Sequence, residues 1–312
     1  MSNKMIFDNA GKPSMMVRIP KFKVSDVIAG GREETHPAFI VDGREVPEIY
    51  IGKYQSVIVN GLAYSLAFQQ PTVNATFNDM VQASEAKGDG WHLMTNAERA
   101  AIALWSMKNG TLPHGNNNFG SDYQHADESG ICFDGRKVLT GSGPATWSHD
   151  HTPEGIFDMN GNVFEWLGGL RLHNGEIQII PDNNAAKHID QSETSGEWKP
   201  IMVGKNKINI SETASGLKLT TEEAEGDWNG CRFARLETDI EIPDILKELA
   251  LYPSGDEKIK DYFWAGVDGI RYPIYGGSWG YGAMGGLFTL ALPDVSGTSS
   301  AGIGGRLAYC HV

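Results

Sequence analysis

The sequence predicts an α+β fold with two helices near its amino-terminal part, short antiparallel strands and much irregular loop. Two segments, 75–86 and 95–109, carry helical spacing and cap signals. Short runs of Val, Ile, Tyr and Phe, broken by turn residues, recur at 37–66 and again beyond 171. Glycine is abundant, 38 of 312 residues, alongside 8 tryptophans, the combination expected where aromatic side chains pin down long loops.

Taken in order, residues 1–30 read as irregular, with Gly11-Lys12-Pro13 as a turn and Arg18, Lys21 and Lys23 as a basic stretch. This segment is expected to be an extension serving attachment or oligomer contacts, ahead of a domain over 31–312. The run 37–66 is punctuated by Asp42-Gly43, Pro47 and Gly52 and reads as several strands. In 75–86, helical spacing puts Phe77, Met80, Val81 and Ser84 on one face, and Gly88 ends the segment. The second helix opens on Thr95-Asn96-Ala97-Glu98, a capping box in which hydroxyl and carboxylate each satisfy a free amide, and stops at Gly110. Its apolar run AAIALW predicts burial.

HGNNNFG at 114–120 is loop chemistry, since Asn and Gly tolerate positive φ. Residues 171–235 read as paired strands with an acidic stretch, TTEEAEGD, and look like an insertion. PDILKELAL at 243–251 predicts a short helix with Pro243 in its first turn.

Composition excludes several classes of function. Lys and Arg number 26 against 39 Asp and Glu, a net charge of −13 that repels phosphate backbones, so no nucleic acid partner is expected. No apolar run reaches the roughly 18 residues of a membrane span, and the amino terminus lacks a secretory signal, so synthesis in the cytoplasm without membrane insertion is expected. Cys132, Cys231 and Cys310 are widely spaced and odd in number, which predicts free thiols rather than a disulfide or zinc framework.

GYGAMG at 280–285 spells a dinucleotide fingerprint, but the context is wrong. GLFTLALPDVSG follows where a helix should open, and too few residues remain for a βαβ unit. His149 and His151, at i and i+2, lack a third ligand nearby and read as hydrogen-bonded histidines. In DMNGNVFEW, Asp158, the Asn160-Gly161-Asn162 turn and Glu165 gather oxygens of the kind Ca2+ accepts. The alternative is that Asn and Asp make the turn while Phe164 and Trp166 bury.

Three segments together resemble a superfamily. GDGWHLMTNAERAAIALW, EGIFDMNGNVFEWLGG and GGSWGYGAMGGLF…AGIGGRLAYC are similar, in order and spacing, to motifs of the C-type lectin fold of formylglycine-generating enzymes. That superfamily holds copper oxidases and the variable proteins of diversity-generating retroelements, phage tropism determinants among them. The resemblance places the oxidases' two catalytic cysteine positions near Tyr281 and Gly286, neither of which is cysteine. A thiolate ligand to copper is therefore missing, and the binding branch is the expected one, with no required cofactor.

In that branch the framework would be Gly277, Ser278, Trp279, Gly282, Gly286, Phe288, Leu290, Leu292, Ile303, Gly304 and Arg306, within a variable region at 276–310. The exchangeable surface would comprise Gly280, Tyr281, Met284, Ala291, Pro293, Asp294, Thr298 and Ser300. Alternation predicts Phe288, Leu290 and Leu292 in the core and Thr289, Ala291 and Pro293 outward. Trp279 and Arg306 would tie down its two ends. The resemblance further implies a host-surface protein or glycan receptor as partner, a homo-oligomer (a trimer in the relatives), a place at a phage tail-fibre tip, and Ca2+ held by Asp158, Glu165 and the carbonyls of Gly161 and Val163. The alternatives are a metal-dependent oxidase of the same fold and a structural virion protein without a ligand.

Overall fold

The amino-terminal residues build a sheet. In a computed structural model that describes residues 2–255 and 259–311, the strands Ser2–Phe7 and Pro13–Pro20 form an antiparallel hairpin, which corrects the expectation of an irregular 1–30. Asp8 closes its turn by accepting from the amides of Ala10 and Lys12 (3.0 and 2.8 Å). Pro13–Pro20 then pairs with Glu48–Gly52, burying Met16, Val17 and Ile19. The strand was hard to read because its buried residues do not alternate cleanly with polar ones.

Glu48–Gly52 pairs in turn with Leu307–Tyr309, and that strand with Trp91–Leu93. One sheet thus joins segments from both ends of the chain. The hairpin is also locked by a buried ion pair, Lys87 Nζ to Asp8 Oδ2 at 3.2 Å, with the ammonium 3.7 Å from the Tyr64 ring centroid and 4.5 Å from that of Trp91.

Both predicted helices form. Phe77–Glu85 is capped by Thr76, whose hydroxyl accepts from the Asp79 amide while the Asp79 carboxylate accepts from the Thr76 amide. Phe77, Met80, Ala83 and Ser84 are buried, and Val81 is only half-buried. Asn96–Asn109 has the Thr95–Glu98 box and ends at Gly110 in the left-handed region, φ 69°. Arg99 is fully buried in it, donating to Asn96 Oδ1 and to the carbonyls of Leu249, Ala250 and Leu287. That one guanidinium connects the helix to both later segments. The expected helix at 243–251 is shorter, Asp244–Glu248, with Pro243 at its cap rather than inside its first turn.

The larger sheet carries the carboxy-terminal region. Along it lie Trp228–Arg232, Tyr262–Gly266, Gly286–Asp294, Ile270–Gly276, Leu170–His173, Glu176–Ile179, Asn209–Thr213 and Gly216–Thr220, with Phe164–Trp166 joining Ile270–Gly276 to Ile303–Gly305. The 171–235 region therefore extends this sheet rather than standing apart from it. No helix among the described residues is long and apolar enough to cross a membrane.

Gly286–Asp294 lies between two strands, with one face in the core and the other covered at Thr289. Phe288, Leu290 and Leu292 are buried as expected, but so are Thr289 and Ala291, and Pro293 is half-buried. The expected outward face is thus corrected for Thr289, which is covered, and for the exposure of Ala291, while Pro293 stays partly exposed. Thr289 donates its hydroxyl to the Met284 carbonyl at 2.6 Å, because the 282–284 turn folds back over that face.

Candidate functional site

The glycine-rich stretch makes the rim of a cleft. Gly276 and Gly277 take positive φ (92° and 84°), which reverses the chain after Ile270–Gly276 at little steric cost. The loop is held by backbone bonds: Trp279 N–H to Asn162 O, Phe119 N–H to Trp279 O, and Gly282 N–H to Asn117 O (3.2, 2.7 and 2.9 Å). HGNNNFG is the buttress beneath it. GYGAMG becomes a 3-10 turn at Gly282–Met284 and then a strand, so no helix terminus is presented to a phosphate.

Between this loop and 293–303 lies a cleft of about 670 Å3. Its lining includes Tyr281, Met284, Ala291, Pro293, Asp294 and Ser300 of the expected surface, together with Trp279 of the expected scaffold. Gly280 is exposed outside it, against the Phe119 ring, and Thr298 is half-buried behind Asp294. Ala291 therefore faces the cleft as its floor while remaining buried.

Aromatic rings shape the walls. The Tyr281 ring stands edge-on to Phe164 (centroids 4.8 Å) and Trp264 (5.8 Å). Trp279 carries two cations, Lys137 Nζ at 4.8 Å and the Arg136 guanidinium carbon at 5.2 Å from its ring centroid. Trp228 adds an indole that is 54% exposed. Burial pushes the Asp294 carboxyl up, opposed by a Thr298 hydrogen bond and by Arg271; burial and the Asp294 charge raise the Tyr281 phenol. Such a cleft offers flat apolar faces, an acid on one side and a guanidinium on the other.

Sequence reasoning did not find Arg136, Phe164, Trp228 or Trp264. Trp228 and Trp264 lie on neighbouring strands, Trp228 opposite Gly266 and Trp264 opposite Gly230. A tryptophan set against glycine in each of two short strands was the available signal.

Arg306 ties down far more than the rim. It is fully buried, forks onto Glu165 (Nε to Oε2 2.8 Å, Nη2 to Oε1 2.7 Å), and donates to the carbonyls of Gly52 and Phe157 (both 2.8 Å). Tyr275 donates its hydroxyl to Glu165 Oε2 at 2.7 Å.

The residues named for calcium do converge, but on an amide. Gln55 Nε2 stands 3.2, 3.5 and 3.0 Å from the carbonyl oxygens of Asp158, Gly161 and Val163, and 3.0 Å from Glu165 Oε1. Gln55 Oε1 accepts from Asn162 Nδ2 at 2.8 Å, which fixes the amide's orientation. Calcium needs oxygens at about 2.3–2.6 Å and anionic charge to balance its own. Here the nitrogen fills the centre and Arg306 already neutralises Glu165, so the arrangement does not fit the ion. Asp158 turns one oxygen to the Gly141 amide, and burial pushes its carboxyl up to about 6.

At the two positions that the resemblance aligns with oxidase cysteines, Tyr281 is wedged between rings and Gly286 admits no side chain. A Cβ on Gly286 would overlap the Asp261 carboxylate, and its φ of 151° is strained for any L residue. His149 is buried, with Nδ1 accepting from the Ile156 amide, and His151 bonds the Leu112 carbonyl. Cys231 and Cys310 are buried and Cys132 is exposed, all three without a disulfide.

No protein-family model and no curated protein matches the chain. Among solved structures it is similar to PvdO from Pseudomonas aeruginosa, at 14% identity over 100% of this chain and 99% of that one, with a TM-score of 0.41. It is also similar to Treponema denticola variable protein 1, at 13% identity over 99% of each chain and a TM-score of 0.37. The M1 variant of the Major Tropism Determinant follows, at 11% identity over 99% of this chain and 72% of that one, with a TM-score of 0.36. At scores below 0.5 the likeness is distant.

Proposed function

We propose that this chain is a non-catalytic receptor-binding protein with a C-type lectin fold, its cleft the ligand site. The observation that carries this reading is a division of labour within one strand and its loop. Phe288, Leu290 and Leu292 fill the core, while Tyr281, Met284, Ala291, Pro293, Asp294 and Ser300 line the cleft. Tyr281, Met284, Pro293, Asp294 and Ser300, half-buried or exposed, can be exchanged without disturbing the core behind them, with buried Ala291 as a fixed floor, which suits a surface that changes partner on a constant scaffold. The ligand is a host-surface protein or glycan: aromatic faces stack on sugar rings or apolar side chains, and Asp294 and Arg136 supply polar anchors. The carrier is a phage tail fibre, and assembly into a homo-oligomer multiplies weak single-site affinity.

The test is a glycan and cell-surface protein screen with the wild type, Ser300→Trp and Asp294→Ala. Ser300 is exposed, so a tryptophan there fills the cleft mouth and leaves the core alone. Loss of binding in Ser300→Trp at an unchanged melting temperature supports the site, and retained binding refutes it. Sequencing the locus across a population tests diversification separately: substitutions should concentrate at the cleft-lining positions, and an even spread refutes it.

A further inference from the structure

A second cluster lies outside the cleft, in the loop that supports it. His114, His125 and Glu128 bring their ligand atoms within 4.8 Å of one another. Their rings and carboxylate are held by local contacts. The His114 and His125 imidazoles stack at 3.9 Å between centroids and 7° between planes. His114 Nδ1 lies 2.9 Å from Glu128 Oε2, and the same oxygen accepts from the indole N–H of buried Trp147 at 3.0 Å. Asp122 Oδ1 caps the amides of Gln124 and His125, and the Glu128 amide donates to the His125 carbonyl, so His125 and Glu128 project from one turn.

We propose that His114, His125 and Glu128 form a binding site for one divalent first-row transition ion, Zn2+ being the probe of choice. Two imidazoles and a carboxylate select such ions over Ca2+ or Mg2+, which prefer all-oxygen sets. The separations suit this. Tetrahedral ligands at about 2.05 Å from an ion stand about 3.3 Å apart, so the 2.9 Å between His114 Nδ1 and Glu128 Oε2 opens by a few tenths of an ångström on binding. His125 is exposed and needs only a side-chain rotation to complete the set. The ion takes the place of the hydrogen between His114 Nδ1 and Glu128 Oε2, and the ligating imidazole carries its one proton on Nε2. Trp147 is the outer partner that orients the ligating carboxylate.

Loading the ion clips the loop 114–128 shut. That loop also supplies the Phe119 amide and the Asn117 carbonyl that hold Trp279 and Gly282. The site is therefore placed to stiffen one wall of the cleft, although its existence does not depend on what the cleft binds.

The experiment uses the full chain without a histidine tag, stripped with chelator, equilibrated with Zn2+ and assayed for retained metal. One Zn2+ per chain is expected, with the melting temperature rising by about 4 °C at a hundredfold excess over Kd. His125→Ala is the decisive variant because its side chain is exposed. It should keep the metal-free melting temperature and lose at least tenfold in affinity, and Glu128→Gln should behave likewise. His173→Ala and Cys132→Ser should retain full stoichiometry, and Ca2+ should give no retention. Substoichiometric Zn2+, equal losses in His173→Ala and His125→Ala, or a loss that follows Cys132→Ser instead, overturns the proposal.

Discussion

Replacing Arg306 with methionine isolates the buried pair that holds the carboxy-terminal strand. The substitution keeps an unbranched side chain of similar length but removes the donors to Glu165, Gly52 O and Phe157 O. Glu165 is then left as a buried carboxylate with only the Tyr275 hydroxyl and the Gln55 amide. Breaking a buried ion pair in this way costs about 3–5 kcal/mol. Unfolding entropy of about 2.1 cal/mol/K per residue, over 312 residues, converts that loss to a fall of about 5–8 °C. Scanning calorimetry at pH 7 reads it directly. Adding Glu165→Gln removes the stranded charge and should recover at least half of the fall, the remainder belonging to the two abandoned carbonyls. A fall below about 2 °C, or a double variant no better than the single one, refutes the account.

Three further outcomes are expected. Asp8→Ala strands the Lys87 ammonium between two rings, so the melting temperature should drop by several degrees and limited proteolysis should cut first within residues 2–20; an unchanged digest would count against a docked hairpin. Burial pushes the Asp261 carboxyl up to about 6, against bonds from backbone amides and the charge of Arg99. A raised folded pKa means the native state holds the proton more tightly, so the penalty is full above pH 6 and gone below about 3.8. Asp261→Asn should therefore raise the melting temperature at pH 8 but not at pH 3.5, where an equal gain at both would sink the linkage argument. Gly286→Cys should lower soluble yield or melting temperature far more than Tyr281→Cys, because only position 286 lacks room for a Cβ; equal tolerance would contradict the geometry.

The helices were legible because their signals are local. Thr95, Glu98 and Gly110 lie within one element, and each does there what its chemistry favours. The glycine-rich segment was legible in part: the buried set Phe288, Leu290 and Leu292 followed from period two, but no pattern within the strand says what covers its other face. Gln55 was invisible as the centre of the 158–165 turn because more than 100 residues separate the amide from the oxygens it meets. Trp264 and Trp228 reach the cleft through strand pairing, which a linear reading does not resolve. The first strands were missed for a different reason: Met15, Met16 and Val17 form a run without alternation, and its burial depends on Glu48–Gly52 lying alongside.

The position of Leu307–Tyr309 bears on how the molecule is made. This strand bridges Glu48–Gly52 and Trp91–Leu93, so two segments synthesised early wait, edges bare, for one synthesised late. Arg306, one residue before it, brings the guanidinium that quenches the charge of Glu165 at the same moment. A ribosome that stalls or terminates inside the glycine-rich region therefore releases a chain with an open edge and an unbalanced acid, a substrate for proteases and chaperones. Translation that runs through 276–310 in frame closes both at once, so a chain frameshifted within that region keeps the open edge and the unbalanced acid.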